Sequence, residues 1–254
     1  MSQRVVLVDG DAKPDGRVSL DADDQTLLLG RGVFETLRTY EGQLYGLQEH
    51  LERLAASART VGVGCPDLEI LAQEMATAAS QISGEAVVRV TLTHGGHRIV
   101  RANPLMALPE QYRCATRVWV PPSWLPGEAK HTSRAHSVLA VESAGVDEVL
   151  WTDEDGYLLE GTRSNVFGVI DGVLVTPPLD GRLLAGVTRT ALLQAAAVVG
   201  VPVCEAPLHK GAPFDELYLS STLKELCPIT ELDGAAAPGG GPVGAMVSEA
   251  MRRA

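Results

Sequence analysis

The sequence predicts an α+β protein of two domains, and three observations lead there. Short β-rich runs, several closed by Asp-Gly or Glu-Gly pairs, alternate with amphipathic helical stretches. The texture changes after Pro104, beyond which short strands and helices alternate more quickly. The chain's 254 residues, 45% hydrophobic and 21% charged, are enough for one large or two modest globular domains. A short linker is expected near residues 99 to 104, dividing a small domain, 1–100, from a larger one, 101–254.

Each element has a local reason. Val5 to Val8 is a β-rich run closed by Asp9-Gly10, a hairpin signal, and Phe34 to Tyr40 ends similarly at Glu41-Gly42. From Leu47, the residues Leu47, Leu51, Leu54, Ala58 and Val61 recur at helical spacing. A second helix fits Asp67 to Ile82, with Pro66 at its start. The strand Val87–Thr93 leads into a basic, glycine-bearing stretch, HGGHRIVRANP. Farther on, strands are expected at Ala115–Val120, Glu148–Thr152, Tyr157–Glu160, Asn165–Ile170, Val173–Thr176, Val203–Ala206 and Glu216–Ser221. Asp155-Gly156 and Asp171-Gly172 supply hairpin turns among them, and helices fit Ser133–Ala144 and Val187–Val199. AAAPGGGPVG reads as a loop before a last short helix.

Bulk charge excludes one class of partner. A net charge of −11 argues against nucleic acid, because phosphate backbones need a basic face. Cys65, Cys114, Cys204 and Cys227 are scattered without metal-ligand spacing, which predicts reduced, buried thiols in a cytoplasmic protein and no metal site. No apolar run approaches the roughly 18 residues of a membrane helix. The opening MSQRVVLVDGD has neither signal-peptide nor transit-peptide character.

Several residues invite a chemical reading beside a bland one. His50 and Arg53 share a helix face, where arginine suits a phosphate grip, although a solvated or core-rim pair fits the spacing as well. Gly186 precedes a helix whose first turn holds Val187 and Thr188, an anion site or a plain N-cap. Ser220, Ser221 and Thr222 cluster where a strand ends, as turn formers often do. Glu160, at the end of another strand, pairs with a buried cationic nitrogen or is a solvated loop acid. His94, His97, Arg98 and Arg101 gather on a glycine-rich stretch that suits a substrate carboxylate. Lys130, alone ahead of a helix, has nothing local to mark it as chemical.

Taken in order, GRGVFETLR, EHLERLAASA, AKHTSRAHSVLA, VDEVLWTDEDGYLLEGTRSNVF, DGVLVTPPLDGRLLAGVTR and LYLSSTLKELCPITELDG resemble one family across residues 5 to 234. It is the fold-type IV pyridoxal-phosphate enzymes, the class IV aminotransferases and aminodeoxychorismate lyases. The resemblance implies a small N-terminal and a larger C-terminal α+β domain with the cofactor between them, usually in a homodimer. It implies that Lys130 is the lysine that bonds to the cofactor, and that Glu160 pairs with its protonated pyridine nitrogen. Arg53, the backbone at Val187, Thr188 and Thr222 then form the phosphate cup. Such a lysine must be neutral at some stage to attack an aldehyde, which a desolvated site beside other cations favours.

For the reaction, KHTSR resembles the KHLNR-like segment of bacterial aminodeoxychorismate lyases, and Thr36 stands where they carry a threonine that assists proton transfer. HGGHR resembles their basic loop, with His94, His97 and Arg98 facing a substrate of two carboxylates. The first expectation is therefore release of pyruvate and 4-aminobenzoate from 4-amino-4-deoxychorismate. The alternative is a class IV aminotransferase working between a D- or branched-chain amino acid and a 2-oxo acid. Departures from the family pattern are Arg31, Ser221, Cys227 and Glu128-Ala129, none at a cofactor contact.

Overall fold

The computed structural model describes residues 4–124 and 127–253. They divide into two units: residues 1–107 with 129–134, and residues 108–128 with 135–254.

In the first unit, β1 (Val5–Val8) and β2 (Asp11–Ala12) form the expected hairpin, with Asp9 and Gly10 at φ 54° and 90°. After α1 (Gln25–Leu29) come β3 (Val33–Tyr40), β4 (Gln43–Leu44), α2 (Leu47–Val61) and α3 (Leu68–Ser80), then β5 (Ala86–Leu92) and β6 (Arg98–Pro104). The sheet order is β2-β1-β6-β5-β3-β4. Val33 and Leu37 of β3, Val88 and Val90 of β5 and Val100 of β6 share a core with Leu51 and Leu54 of α2 and Leu71 and Met75 of α3. A fully buried side chain of this size contributes about 1.5–3 kcal/mol. Asp67 caps α3 by accepting the Glu69 N–H at 2.9 Å, so Pro66 precedes the cap and does not open the helix.

The linker expected at residues 99–104 is in fact strand β6, paired antiparallel with β1 on one side and β5 on the other. Only Val100 and Ala102 carry its inward phase, too little apolar signal to announce a strand between two arginines. The linear split at residue 100 fails for a second reason. Residues 129–134 join β3: His131 bridges Val33, the Phe34 N–H donates to the Lys130 carbonyl at 3.1 Å, and the Thr132 N–H to that of Gly32 at 2.9 Å.

The second unit contains β7 (Tyr112–Val118), α4 (Ala135–Ala144), β8 (Glu148–Thr152), β9 (Tyr157–Gly161), β10 (Asn165–Ile170), β11 (Val173–Thr176) and α5 (Val187–Val198). These are followed by β12 (Val203–Glu205), β13 (Leu208–His209), β14 (Glu216–Ser221), β15 (Glu225–Leu232), β16 (Ala235–Ala236) and α6 (Pro242–Arg253). Its sheet runs β12-β11-β10-β14-β15-β7-β8-β9-β13, with β16 on β15. Phe167, Val169 and Leu174 of the sheet pack with Leu192 and Ala196 of α5 and Val247 and Met251 of α6. A separate cluster joins Cys114, Leu150, Leu158, Val166, Leu217, Leu219 and Ile229. The first residues of the expected C-terminal loop form β16, and the helix after the loop is 12 residues long.

All four cysteines are free. Cys114 and Cys227 are buried as expected, whereas Cys65 and Cys204 are exposed, against expectation. Among the described residues, no helix is long and apolar enough to cross a membrane and no cluster suits a metal ion.

Candidate active site

Lys130 is held by its backbone. Its N–H donates to the hydroxyl of Ser57, buried on α2, at 3.0 Å, while its carbonyl takes the Phe34 N–H. The half-buried side chain brings Nζ to 5.1 Å from the centre of the Phe34 ring. Phe34 and Thr36 lie on one face of β3, and Val33, Glu35 and Leu37 on the other, because strand side chains alternate.

That second face explains His50 and Arg53. Both meet Glu35, a fully buried carboxylate. Arg53 Nε donates to Glu35 Oε1 at 2.7 Å and an Arg53 terminal nitrogen to Oε2 at 2.8 Å, a bidentate grip; His50 Nδ1 lies 2.8 Å from Oε2. Burial alone would push the Glu35 carboxyl up; the Arg53 guanidinium, the His50 ring and Lys130 outweigh it and hold its pKa down at about 2. Burial also depresses the His50 pKa, with Glu35 opposing, so the ring is neutral near pH 7. The pair read as solvated or core-rim is thus an anchored, buried assembly. Glu35 had one legible sign: it occupies the inward phase of VFETL, between Val33 and Leu37.

Of the substrate residues expected on the glycine-rich stretch, His97 and Arg98 have side-chain acid partners, and His94 is tied through its backbone. His97 Nδ1 lies 2.8 Å from Asp9 Oδ2, and Arg98 grips Glu74 through Nε and a terminal nitrogen, the latter at 2.8 Å. The His94 N–H donates to Thr26 Oγ1 at 2.7 Å. Arg98 and Arg101 belong to β6 and not to a loop.

Arg89 of β5, passed over in the sequence, is different. It is half-buried, pairs across the sheet with Thr36 and Arg101, and stacks its guanidinium 3.6 Å from the centre of the same Phe34 ring. Among the described residues no carboxylate lies in salt-bridge contact with it, and the buried Glu35 acts on it only through space. Burial, then repulsion from Arg101 and Arg134, lowers its pKa to about 10, still charged at neutral pH. The 3.6 and 5.1 Å distances to one ring centre mean that Arg89 and Lys130 flank the Phe34 ring together.

In the second unit, Glu160 is half-buried on β9, and its Oε2 accepts the Leu184 N–H at 3.0 Å. The Leu184 carbonyl in turn accepts Asn165 Nδ2 at 2.9 Å. Two residues on, Gly186 starts α5 without a side-chain cap, leaving first-turn N–H groups at Val187 and Thr188 for an anion. The approach is close enough that a Cβ on Gly186 would stand 2.0 Å from Asn165 Oδ1. Ser220 lies directly opposite Asn165 across the sheet, and its buried hydroxyl has no partner. Thr188 is buried, and Thr222 is half-buried in the turn after β14. A glycine cradle, an uncapped helix start and an orphaned buried hydroxyl, near a carboxylate, fit a phosphorylated ring with a basic nitrogen.

Comparison with known proteins agrees. The sequence model of the amino-transferase class IV family matches residues 32–232. A putative branched-chain-amino-acid aminotransferase of Methanocaldococcus jannaschii is 32% identical over 83% of this chain and 82% of its own length. A bifunctional aminodeoxychorismate lyase / D-amino acid transaminase of Mycobacterium tuberculosis is 28% identical, covering 92% of this chain and 93% of its own. A hypothetical aminotransferase from Mycobacterium tuberculosis, solved in a PLP-bound form, superposes with TM-score 0.90 at 26% identity, covering 98% of both chains. The chain belongs to the class IV aminotransferases, with the fold-type IV architecture, and is a pyridoxal-phosphate-dependent enzyme.

Proposed function

We propose that this enzyme is an aminotransferase that moves an amino group from a branched-chain or D-amino acid to a 2-oxo acid. The observation that carries this reading over the lyase is the state of the basic stretch. His97 and Arg98, on which a two-carboxylate substrate would depend, are engaged by Asp9 and Glu74, and Arg89 stands beside Lys130 as a cation without a salt-bridge contact among the described residues. Arg89, with Arg101 and Arg134 near it, suits a carboxylate, the group that amino and 2-oxo acids share. The branched-chain name of the Methanocaldococcus jannaschii relative supports the same side.

Lys130, Arg53, Glu160, Val187, Thr188 and Thr222 are the residues we assign to pyridoxal phosphate. When bound, the cofactor supplies an electron sink that eases loss of a proton from the amine-bearing carbon. Lys130 takes that proton and returns it, as general base and then acid. Its fixed backbone and the Phe34 ring limit where Nζ can reach. Glu160, already accepting the Leu184 N–H, would accept a second hydrogen bond from a protonated ring nitrogen. The phosphate would be held by Arg53, by the N–H groups of Val187 and Thr188 and by the Thr222 hydroxyl. Thr36, whose hydroxyl has no protein partner among the described residues, lies on the Lys130 side of β3 and relays protons there.

Aminodeoxychorismate lyase is the second reading, favoured by the bifunctional Mycobacterium tuberculosis relative. Purified enzyme given L-leucine or D-alanine with 2-oxoglutarate should form glutamate. Pyruvate and 4-aminobenzoate from aminodeoxychorismate without an acceptor, and no amino transfer, would reverse the assignment. The same reading includes a homodimer, supported by the exposed run Leu27, Leu28 and Leu29 and checked by light scattering. It also includes a cytoplasmic setting, which the exposed free thiols of Cys65 and Cys204 suit.

A further inference from the structure

Lys224 takes no part in the assignments above, yet its side chain is only 7% exposed. Its ammonium contacts Glu148 Oε2, donates to Ser164 Oγ at 2.7 Å and lies 4.8 Å from the centre of the Tyr112 ring. Glu148, on β8, is completely buried. Its Oε1 accepts the Arg163 N–H at 2.7 Å and its Oε2 accepts the Ser164 hydroxyl at 3.1 Å. Gly161 rests on the same carboxylate, since a Cβ there would stand 2.6 Å from Oε1. At the other end, the Lys224 N–H donates to Ser221 Oγ at 3.3 Å, closing the turn that contains Thr222.

One buried ion pair therefore joins two turns: residues 161–164, which follow Glu160, and residues 221–224, which carry Thr222. Desolvation offsets most of the attraction in such a pair, so net stability is a poor account of it. Registry is a better one, because a lysine with a carboxylate, a hydroxyl and an aromatic face around it admits one position. Its ammonium is enclosed by Glu148, Ser164 and the Tyr112 ring.

We infer that Lys224 is a positioning residue for the cofactor: clamped between Glu148 and Ser164, it holds the Thr222 turn at a fixed spacing from the Glu160 turn. This rests on the reading that Thr222 and Glu160 hold pyridoxal phosphate. A rigid ring bound at its phosphate and at its nitrogen tolerates little change in that spacing, and supporting contacts decide such precision.

The test titrates apoprotein with pyridoxal phosphate and with pyridoxal, which lacks the phosphate, by visible absorbance. Lys224→Met combined with Glu148→Gln removes both charges and leaves no lone buried carboxylate. Its Kd for pyridoxal phosphate should rise on the order of tenfold or more, with a much smaller rise for pyridoxal, and Lys224→Arg should recover part of the preference. An unchanged preference in the double variant, while Thr222→Val lowers it, overturns the role of Lys224 alone. An unchanged preference in Thr222→Val overturns the assignment of Thr222 and this inference with it. If the double variant does not fold, Ser164→Ala, which removes one Nζ contact, takes its place: a partial loss of preference supports the inference and none refutes it.

Discussion

Replacing Glu35 with glutamine removes one negative charge from a site where it faces the Arg53 guanidinium and the neutral His50 ring, with Lys130 acting from farther off. The wild-type carboxyl falls from an ordinary 4.5 to about 2. At about 1.4 kcal/mol per pKa unit, the shift is worth about 3 kcal/mol, with no discount for solvent because Glu35 is fully buried. A carboxyl held below its unfolded value stabilises the fold above pH 4.5, and that stabilisation drains away as pH falls towards 2. Glu35→Gln should thus unfold about 3 kcal/mol more easily at pH 7, and its deficit should shrink to less than half by pH 3. Urea denaturation of both apoproteins at several pH values measures this, and taking their difference cancels the other carboxylates. A deficit as large at pH 3 as at pH 7, or below about 1 kcal/mol at pH 7, would show that the pairing with Arg53 and His50 does not govern the site.

Three further outcomes follow from the same geometry. Lys130→Ala should abolish turnover and the visible band of bound cofactor while the apoprotein melts within a few degrees of wild type, since the backbone bonds to Ser57 and Phe34 that anchor the segment do not involve the side chain. Arg89→Met should raise KM for the amino and 2-oxo acids by about ten- to a hundredfold, the worth of a charge-assisted hydrogen bond. Its melting temperature should hardly change, because only the stacking on Phe34 is lost. Gly186→Ala forces Cβ against Asn165 Oδ1 and should cost about 1–3 kcal/mol of stability; it should also weaken pyridoxal phosphate more than pyridoxal in the titration described above.

Strands β8, β10, β11 and β14 match their expected bounds because turn residues flank them. Asp171 and Gly172, at φ 49° and 76°, make the tight turn their order suggests. Strand β15 carries no clean pattern because Pro228 and three polar residues interrupt its apolar phase, and its pairing with β7, more than a hundred residues earlier, is invisible locally. Helix α1 leaves Leu27, Leu28 and Leu29 exposed, so it has no amphipathic pattern to detect. The site divides in the same way. Gly186 before VTRTALL is a local signal, and the loop-free start of α5 follows from it. Lys130 has no local mark, and only its place in an ordered set of family motifs singles it out. The partnerships of Glu35 with Arg53 and Glu148 with Lys224 span 18 and 76 residues, and no periodicity reports contacts of that kind. The partners of Arg98 are hidden in the same way, since Asp9 and Glu74 are distant in sequence.

The six residues from 129 to 134 change what can be cut from this chain. The polypeptide crosses between its two units at 107/108, at 128/129 and again at 134/135. No single break therefore separates the two units cleanly. A fragment ending at residue 107 keeps every strand of the first sheet but loses Lys130, and strips the backbone partners from Gly32 and Phe34. Recombination between relatives at the obvious midpoint would transmit the small sheet from one parent and the lysine from the other. The lysine's segment must then match a foreign β3, so inheritance of this activity depends on a junction placed after residue 134.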